Sequence, residues 1–387
     1  MNKKICVVTG TRAEFGILSR LISKINSDKS LDLQLIATGM HLSTEFGLTY
    51  KEIESHGLRI DKKIEILLSS DTTVGISKSM GLAQISFSEA FEELKPDIII
   101  LLGDRFEIFS AASAAMILRI PIIHLHGGEV TEGVMDEPIR HSITKMSHYH
   151  FTSTENYKKR VVQLGENPQH VFNVGSLGVD NIKHLSLLSK KQIEKELGFS
   201  FKKNNILVTF HPVTLENNTA KDQFENLLKS LSKLKSTQLI FTKCNSDTNG
   251  RVINKMIDSF TNNNKDSYAT FSLGQVNYFS CLQFVDGVIG NSSSGIIEVP
   301  SFKIGTINIG DRQKGRIQAK SVIQCLPTEK DIDAAIQKLY SKEFQINLQH
   351  LTNPYEKPNT CDEIISFISK INLNSITIAK QFFDLKY

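Results

Sequence analysis

The chain has 387 residues, too many for one ordinary hydrophobic core and enough for two domains of similar size. Hydrophobic residues make up 40% and charged residues 22%, which excludes a disordered or fibrous chain, and no stretch approaches the run of about 20 apolar residues needed to cross a bilayer. A net charge of +4 without a long basic block argues against a nucleic-acid surface and suits an anionic small ligand.

The N-terminal apolar run, Ile5-Cys6-Val7-Val8, meets Thr9-Gly10 too soon for a signal peptide and is read as a first strand. The apolar stripe at Ile17, Leu18, Leu21, Ile22 and Ile25 has helical spacing, so strand, turn and helix follow in order. Leu33 to Ala37 predicts a second strand and Asp97 to Leu102 a fully buried one. A helix over Phe106 to Leu118 leads to a strand at Pro121 to Leu125, and a further helix opens at Asp136. The lysine-rich stretch from Lys183 to Lys203 holds no obvious strand and marks a domain boundary. Strand and helix then alternate again: Ile206 to Phe210, a helical stripe from Phe224 to Leu234, Leu239 to Phe241, Phe284 to Gly290 and Lys303 to Ile309.

This pattern predicts an α/β protein of two doubly wound, Rossmann-like domains, residues 1–180 and 181–365, with the active site in an interdomain cleft: the GT-B arrangement. The apolar end, 366–387, is expected to form a helix that packs back on the first domain. Five scattered cysteines without a C-x-x-C pair indicate neither a disulfide framework nor a thiolate metal site, and a reducing cytoplasm is the expected location.

The chemistry is expected in the turns. Gly290-Asn291-Ser292-Ser293-Ser294-Gly295 follows a buried strand and precedes a helix, which suits either a phosphate or a plain serine-rich N-cap. Glu298, one turn on, is either a ribose acceptor or a complement to the helix dipole. The cations of Gly310-Asp311-Arg312-Gln313-Lys314-Gly315-Arg316 add weight to an anion site. Gly10-Thr11-Arg12 permits close backbone approach but lacks the G-x-G-x-x-G spacing of dinucleotide binders. Gly103-Asp104-Arg105 pairs a carboxylate with a cation at a strand end, as a base with its partner or as a structural pair. His124 and His126 alternate along one strand and raise a zinc hypothesis, but two domains do not supply the ring of strands that such a site needs; no metal is expected.

Taken together and in order, GTRAEFG at 10–16, TGMH at 38–41, GDR at 103–105, HGGE at 126–129, IRHSI at 139–143, FHP at 210–212, GNSSSG at 290–295 and GDRQ at 310–313 resemble the hydrolysing UDP-N-acetylglucosamine 2-epimerases of bacterial sialic acid synthesis. The resemblance spans nearly the whole chain and is greatest to the branch that serves polysialic acid capsules. It implies contacts to UDP from Arg12, His211, Ser292, Ser293, Glu298 and Arg312, with Asn245 and Asp247 near the nucleotide or sugar. It implies catalytic roles for Asp104 and Asp136 with Arg105 beside them, and includes His211 among the catalytic residues. Where relatives commonly carry H-I-E-G-G-E this chain has His126, so the glutamate's role passes either to His126 or to Glu129.

The implied reaction is anti elimination of UDP to a 2-acetamidoglucal, then hydration with inversion at C2. No cofactor, nucleic acid or membrane partner is implied; the family suggests a homodimer or a dimer of dimers. The alternatives are a hydrolysing UDP-N,N′-diacetylbacillosamine 2-epimerase of legionaminic acid synthesis, and, outside the epimerases, a glycosyltransferase or a UDP-sugar sensor.

Overall fold

A computed structural model describes residues 2–68, 70, 72–132, 134–212, 220–244 and 250–385. The chain divides into two compact units. The first comprises Met1–Glu129, Asp136–Asn181 and Lys357–Tyr387, and the second Val130–Met135 and Ile182–Glu356. The chain enters the second unit briefly at Val130–Met135, passes into it again after Asn181, and returns to the first unit at Lys357.

Seven parallel strands form the sheet of the first unit: β1 (Lys3–Thr9), β2 (Leu31–Thr38), β3 (Lys62–Ile64), β4 (Ile98–Leu102), β5 (Ile122–Leu125), β6 (Tyr149–Thr152) and β7 (Val171–Asn173), in the order β3-β2-β1-β4-β5-β6-β7. Both faces of this sheet are covered, which is why its central strands read as unbroken apolar runs. Along β1, Ile5 and Val7 face Leu18, Leu21 and Ile22 of the helix Arg12–Ser27. Cys6 and Val8 face the opposite layer, with Phe87 and Phe91 of the helix Thr73–Leu94 and Ala111 and Ala115 of the helix Phe106–Ile117. Fully burying a side chain of this size contributes about 1.5–3 kcal/mol, so the alternation fixes the register of β1.

The second unit repeats the plan with six parallel strands: β8 (Asn204–Thr209), β9 (Thr237–Thr242), β10 (Ser267–Thr270), β11 (Gly287–Gly290), β12 (Gly305–Ile309) and β13 (Val322–Cys325), ordered β10-β9-β8-β11-β12-β13. Ile206, Val208 and Phe210 pack against Phe224, Leu227 and Leu231 of the helix Ala220–Ser232, while Leu207 packs on the other side with Phe279 and Leu282 of the helix Gly274–Leu282.

The chain end departs from expectation. A helix does pack on the first unit, but it spans Thr360–Lys370 and not the whole tail. It is fastened by Thr360 Oγ1 donating to Val174 O at 2.6 Å and by Lys3 Nζ donating to Ser369 O at 2.6 Å. Beyond it the backbone runs on without an α-helix to Phe383, whose N–H donates to Gly165 O at 2.9 Å. On the way Lys380 Nζ pairs with Glu166 Oε2 at 2.7 Å and donates to Lys145 O at 2.8 Å, at the C-terminal end of the helix Asp136–Met146. A cation at that helix end is favoured by the helix dipole.

Gly290 is the tightest point of the second sheet: its φ is 145°, and a Cβ there would lie 1.8 Å from Thr209 O. Gly290→Ala is therefore expected to lower unfolding stability by about 3 kcal/mol. An unchanged urea midpoint for that variant would refute the close approach of β11 to β8.

Candidate functional site

In each sheet the strand order reverses once, between β1 and β4 in the first unit and between β8 and β11 in the second. Helices leave such a pair of strands toward opposite faces, so the carboxyl ends open a crevice there, the usual ligand site of open α/β sheets.

In the first unit this point holds acids. Thr11 caps the helix Arg12–Ser27, and Glu14 closes the capping box, its Oε2 accepting from Gly10 N at 2.7 Å and Thr11 N at 3.2 Å. Glu107 lies against the same turn so closely that a Cβ on Gly10 would meet its Cγ at 2.6 Å. Glu107 is 1% exposed and accepts from Arg105 Nε at 2.9 Å, while its Oε2 has no hydrogen-bond partner among the described residues. Burial, reinforced by the charge of Glu107, pushes the Glu14 carboxyl up to about 8. Sequence reading passed over both glutamates. The T-x-x-E spacing of Thr11 and Glu14 was the available signal; Glu107 offered none.

Asp104, after β4, accepts from the Arg140 guanidinium. Arg140 is buried and also donates to Glu129 O at 2.8 Å and Glu137 Oε2 at 2.7 Å. Burial works against its charge, but Asp104, Glu129 and Glu137 outweigh it and raise Arg140 above its ordinary value. Asp136 begins the same helix, Asp136–Met146, so one helix presents Asp136 and anchors Asp104 through Arg140.

At the end of β5, His126 has a φ of 63° and sits 3.4 Å through Nδ1 from Glu129 Oε1. Its Nε2 accepts from Leu177 N at 3.4 Å, which leaves the proton on Nδ1, toward Glu129. Glu129 Oε1 also accepts from Ser153 Oγ at 2.8 Å. The two candidates for the glutamate's role are thus adjacent. His124 is not available to them or to a metal: it is fully buried, Nε2 donates to Gly103 O at 2.8 Å, and Nδ1 faces Thr144 Oγ1 at 3.2 Å. Burial lowers it to about 3. Among the described residues no group of three His, Cys, Asp or Glu side chains is placed to hold a metal ion. Arg12 is ion-paired with Glu52, and His41 of TGMH is buried between Thr9 and Thr49, where burial lowers it to about 4.

In the second unit the corresponding point holds hydroxyls, amides and a cation. His211 follows β8, Asn291 to Ser294 follow β11, and Arg312 and Gln313 follow β12. Asn291 Oδ1 accepts from His211 N, and its Nδ2 donates to His211 O, each at 2.7 Å. Asn291 O accepts from Arg312 Nη1 at 3.1 Å and Gln313 Nε2 at 2.9 Å. The Nε of Arg312 is shielded from solvent and has no hydrogen-bond partner among the described residues. The expected helix after the serines is a single turn, Ser294–Ile297, passing into a 3-10 turn at Val299–Phe302. Pro300 and the tight Lys303, at φ 55°, cut it short, so a phosphate there depends on side-chain hydroxyls and Arg312, with little help from a dipole. Glu298 accordingly ends the helical turn and is buried. Asn245 and Asp247 lie outside the described residues.

A family profile described as UDP-N-acetylglucosamine 2-epimerase matches residues 23–369. The chain belongs to the UDP-N-acetylglucosamine 2-epimerase family. It is 48% identical to GDP/UDP-N,N′-diacetylbacillosamine 2-epimerase (hydrolyzing) of Campylobacter jejuni, over 99% of this chain and 100% of that one. It is 42% identical to polysialic acid biosynthesis protein P7 of Escherichia coli, over 99% and 98%. Its fold is that of the Neisseria meningitidis UDP-GlcNAc 2-epimerase crystallised with UDP-GlcNAc, at TM-score 0.80 and 18% identity, over 95% of this chain and 100% of that one. Two doubly wound α/β domains of the GT-B-like class are thus the fold of this 2-epimerase family member.

The Glu14 carboxyl gives a test of the first-unit geometry. Its folded-state value, about 8, lies above the ordinary glutamate value of 4.5, so folding favours the protonated form. The stability it contributes is complete below the unfolded value and lost as pH rises through the folded one. Glu14→Gln, which imitates the protonated acid, is expected to flatten the decline in unfolding free energy between about pH 4.5 and pH 8. Parallel pH profiles for wild type and variant in urea titrations would contradict the assignment.

Proposed function

We propose that the protein is a hydrolysing 2-epimerase of a nucleoside-diphosphate N-acetylated sugar. The supporting observation is end-to-end similarity to a Campylobacter jejuni protein named for that reaction, with the turns described above in place at both strand-order reversals. In this reading the second unit holds the nucleotide: Ser292, Ser293, His211 and Arg312 meet the diphosphate, and Glu298 the ribose. Asn245 and Asp247 are assigned to the nucleotide or sugar by the family pattern alone. Arg12, ion-paired with Glu52, is assigned to the nucleotide by the family pattern alone, and Arg105 stays beside Asp104 at the end of β4.

The first unit supplies the proton-moving groups Asp104, His126, Glu129 and Asp136. In the first step a base removes the C2 proton, the C1–O bond breaks, UDP leaves and a C1–C2 double bond forms. In the second, water adds at C1 and a proton arrives at the opposite face of C2. Cations and hydroxyls aimed at the departing diphosphate stabilise the charge it gains, and a base fixed against a weakly acidic C–H lowers the cost of its removal. The His126–Glu129 pair fits a proton-transfer role because Glu129 orients the ring; Asp104, held by Arg140, fits a role as carboxylate.

For the sugar, the ordering of the relatives favours the 2,4-diacetamido substrate N,N′-diacetylbacillosamine. The second reading, UDP-N-acetylglucosamine converted to N-acetylmannosamine for sialic acid synthesis, is supported by the 42% identity to the polysialic acid protein of Escherichia coli. We further propose a homodimer or dimer of dimers, which light scattering of the purified protein tests.

Proton NMR of reactions in deuterated water decides the substrate. With UDP- or GDP-N,N′-diacetylbacillosamine the expected product is the free 2-epimer carrying deuterium at C2, formed faster than any product from UDP-N-acetylglucosamine. Turnover of UDP-N-acetylglucosamine alone would move the protein to the sialic acid branch. Nucleotide binding without turnover of any of the three would point to a glycosyltransferase or a sensor.

A further inference from the structure

Asn291 uses every polar group it has, and no two of its jobs are alike. Its backbone N–H donates to Thr209 O at 3.0 Å, one step beyond the last register pair of β8 and β11, Gly290 with Thr209. There the regular ladder stops, because Gly290 turns the backbone away at φ 145° and Pro212, three residues past the end of β8, has no N–H to offer. The side-chain amide of Asn291 takes over: its acceptor meets His211 N–H and its donor meets His211 O, both at 2.7 Å. One side chain thereby continues a β-ladder by one residue. The Asn291 carbonyl, released from the sheet, points instead at the Arg312 guanidinium and the Gln313 amide. Asn291 is 1% exposed, so it acts on a ligand only through these neighbours.

We infer that Asn291 is a positioning residue that sets His211 and Arg312 in one geometry for the nucleotide, an inference that rests on the functional reading above. Only an amide suits the seat. Aspartate keeps the acceptor toward His211 N–H but turns a second acceptor against His211 O, and it places a negative charge beside the cation intended for a diphosphate. Alanine removes the two hydrogen bonds that Asn291 makes to the buried backbone of His211 and frees the Asn291 backbone to rotate, so Arg312 loses its anchor as well.

The test is calorimetric titration with UDP and GDP of wild type, Asn291→Ala, Arg312→Ala and the double variant, with steady-state kinetics alongside. Asn291→Ala is expected to weaken nucleotide binding by about tenfold or more, and adding Arg312→Ala to it is expected to cost less than Arg312→Ala costs alone, since coupled residues do not add. Asn291→Asp, which keeps the volume and one hydrogen bond, carries the test where the alanine variant does not fold; its expected signature is a raised KM together with a lowered kcat. A folded Asn291 variant that binds the nucleotide within about twofold of wild type, or full additivity with Arg312→Ala, overturns the inference. A wild type that binds neither UDP nor GDP overturns the functional reading and this inference with it, a result distinct from a wild type and variant that bind equally well.

Discussion

A parallel sheet buried on both faces can expose polar chemistry only at its ends, and the reversal of strand order decides where. In both units the first strand lies beside the fourth, β1 against β4 and β8 against β11. Their helices depart to opposite sides, and the turns at their carboxyl ends are left without covering structure. Backbone groups in those turns still need partners, because a buried N–H or C=O without one costs about as much as a lost hydrogen bond. The first unit meets the need with Glu14, which takes the N–H groups of Gly10 and Thr11. The second meets it with Asn291, which takes both backbone groups of His211. The residues that finish each sheet are thereby neighbours of the candidate site residues, Asn291 touching both His211 and Arg312.

The two solutions differ in charge, and this separates their chemistry. A carboxyl used as a backbone acceptor brings proton affinity with it, and the neighbouring Glu107, Asp104 and Glu129 make the first unit's turns a concentration of groups that can hold or give protons. Their charge is balanced inside the protein by Arg105 and Arg140. An amide brings no charge, so the second unit's turns leave Arg312 without an ion pair to a carboxylate among the described residues, its guanidinium donating to the Asn291 carbonyl. A cation in that state attracts a diphosphate, whereas one already paired with a carboxylate does so weakly.

What the sequence disclosed follows from the same physics. Strands β1, β4, β8 and β11 are apolar on both faces and stand out as runs, as do β5 and β12 despite His124 in the one and Thr306 and Asn308 in the other. Strand β6 did not, because its buried positions include His150 and Thr152, satisfied by Glu166 and by backbone carbonyls and invisible to any count of apolar residues. The edge strands β3 and β10 are short, polar or half buried. The turn motifs were legible as a set, since glycine and polar residues at consecutive strand ends are rare by accident. The hub role of Asn291 and the burial of Glu107 were not, because each depends on which strands are neighbours, and strand order is not written in any one segment. The tail misled for another reason: Phe382 and Phe383 look like helix, yet the first lies on Gly165 and the second bonds to it as extended chain.

The substitution of His126 for a glutamate is intelligible on this footing. The H-I-E-G-G-E pattern places two glutamates where this chain has His126 and Glu129. Here an imidazole and a carboxylate face one another instead, Nδ1 to Oε1 at 3.4 Å. Ser153 fixes the carboxylate from the far side, and Leu177 N–H fixes the ring through Nε2, so the pair is held at both ends. With the ring neutral, the pair carries one carboxylate fewer than two glutamates would, and reach and angle change too, since an imidazole is rigid where a glutamate side chain is not. In the function proposed above, a change of that kind alters the shape and charge of the group set against the C2 proton.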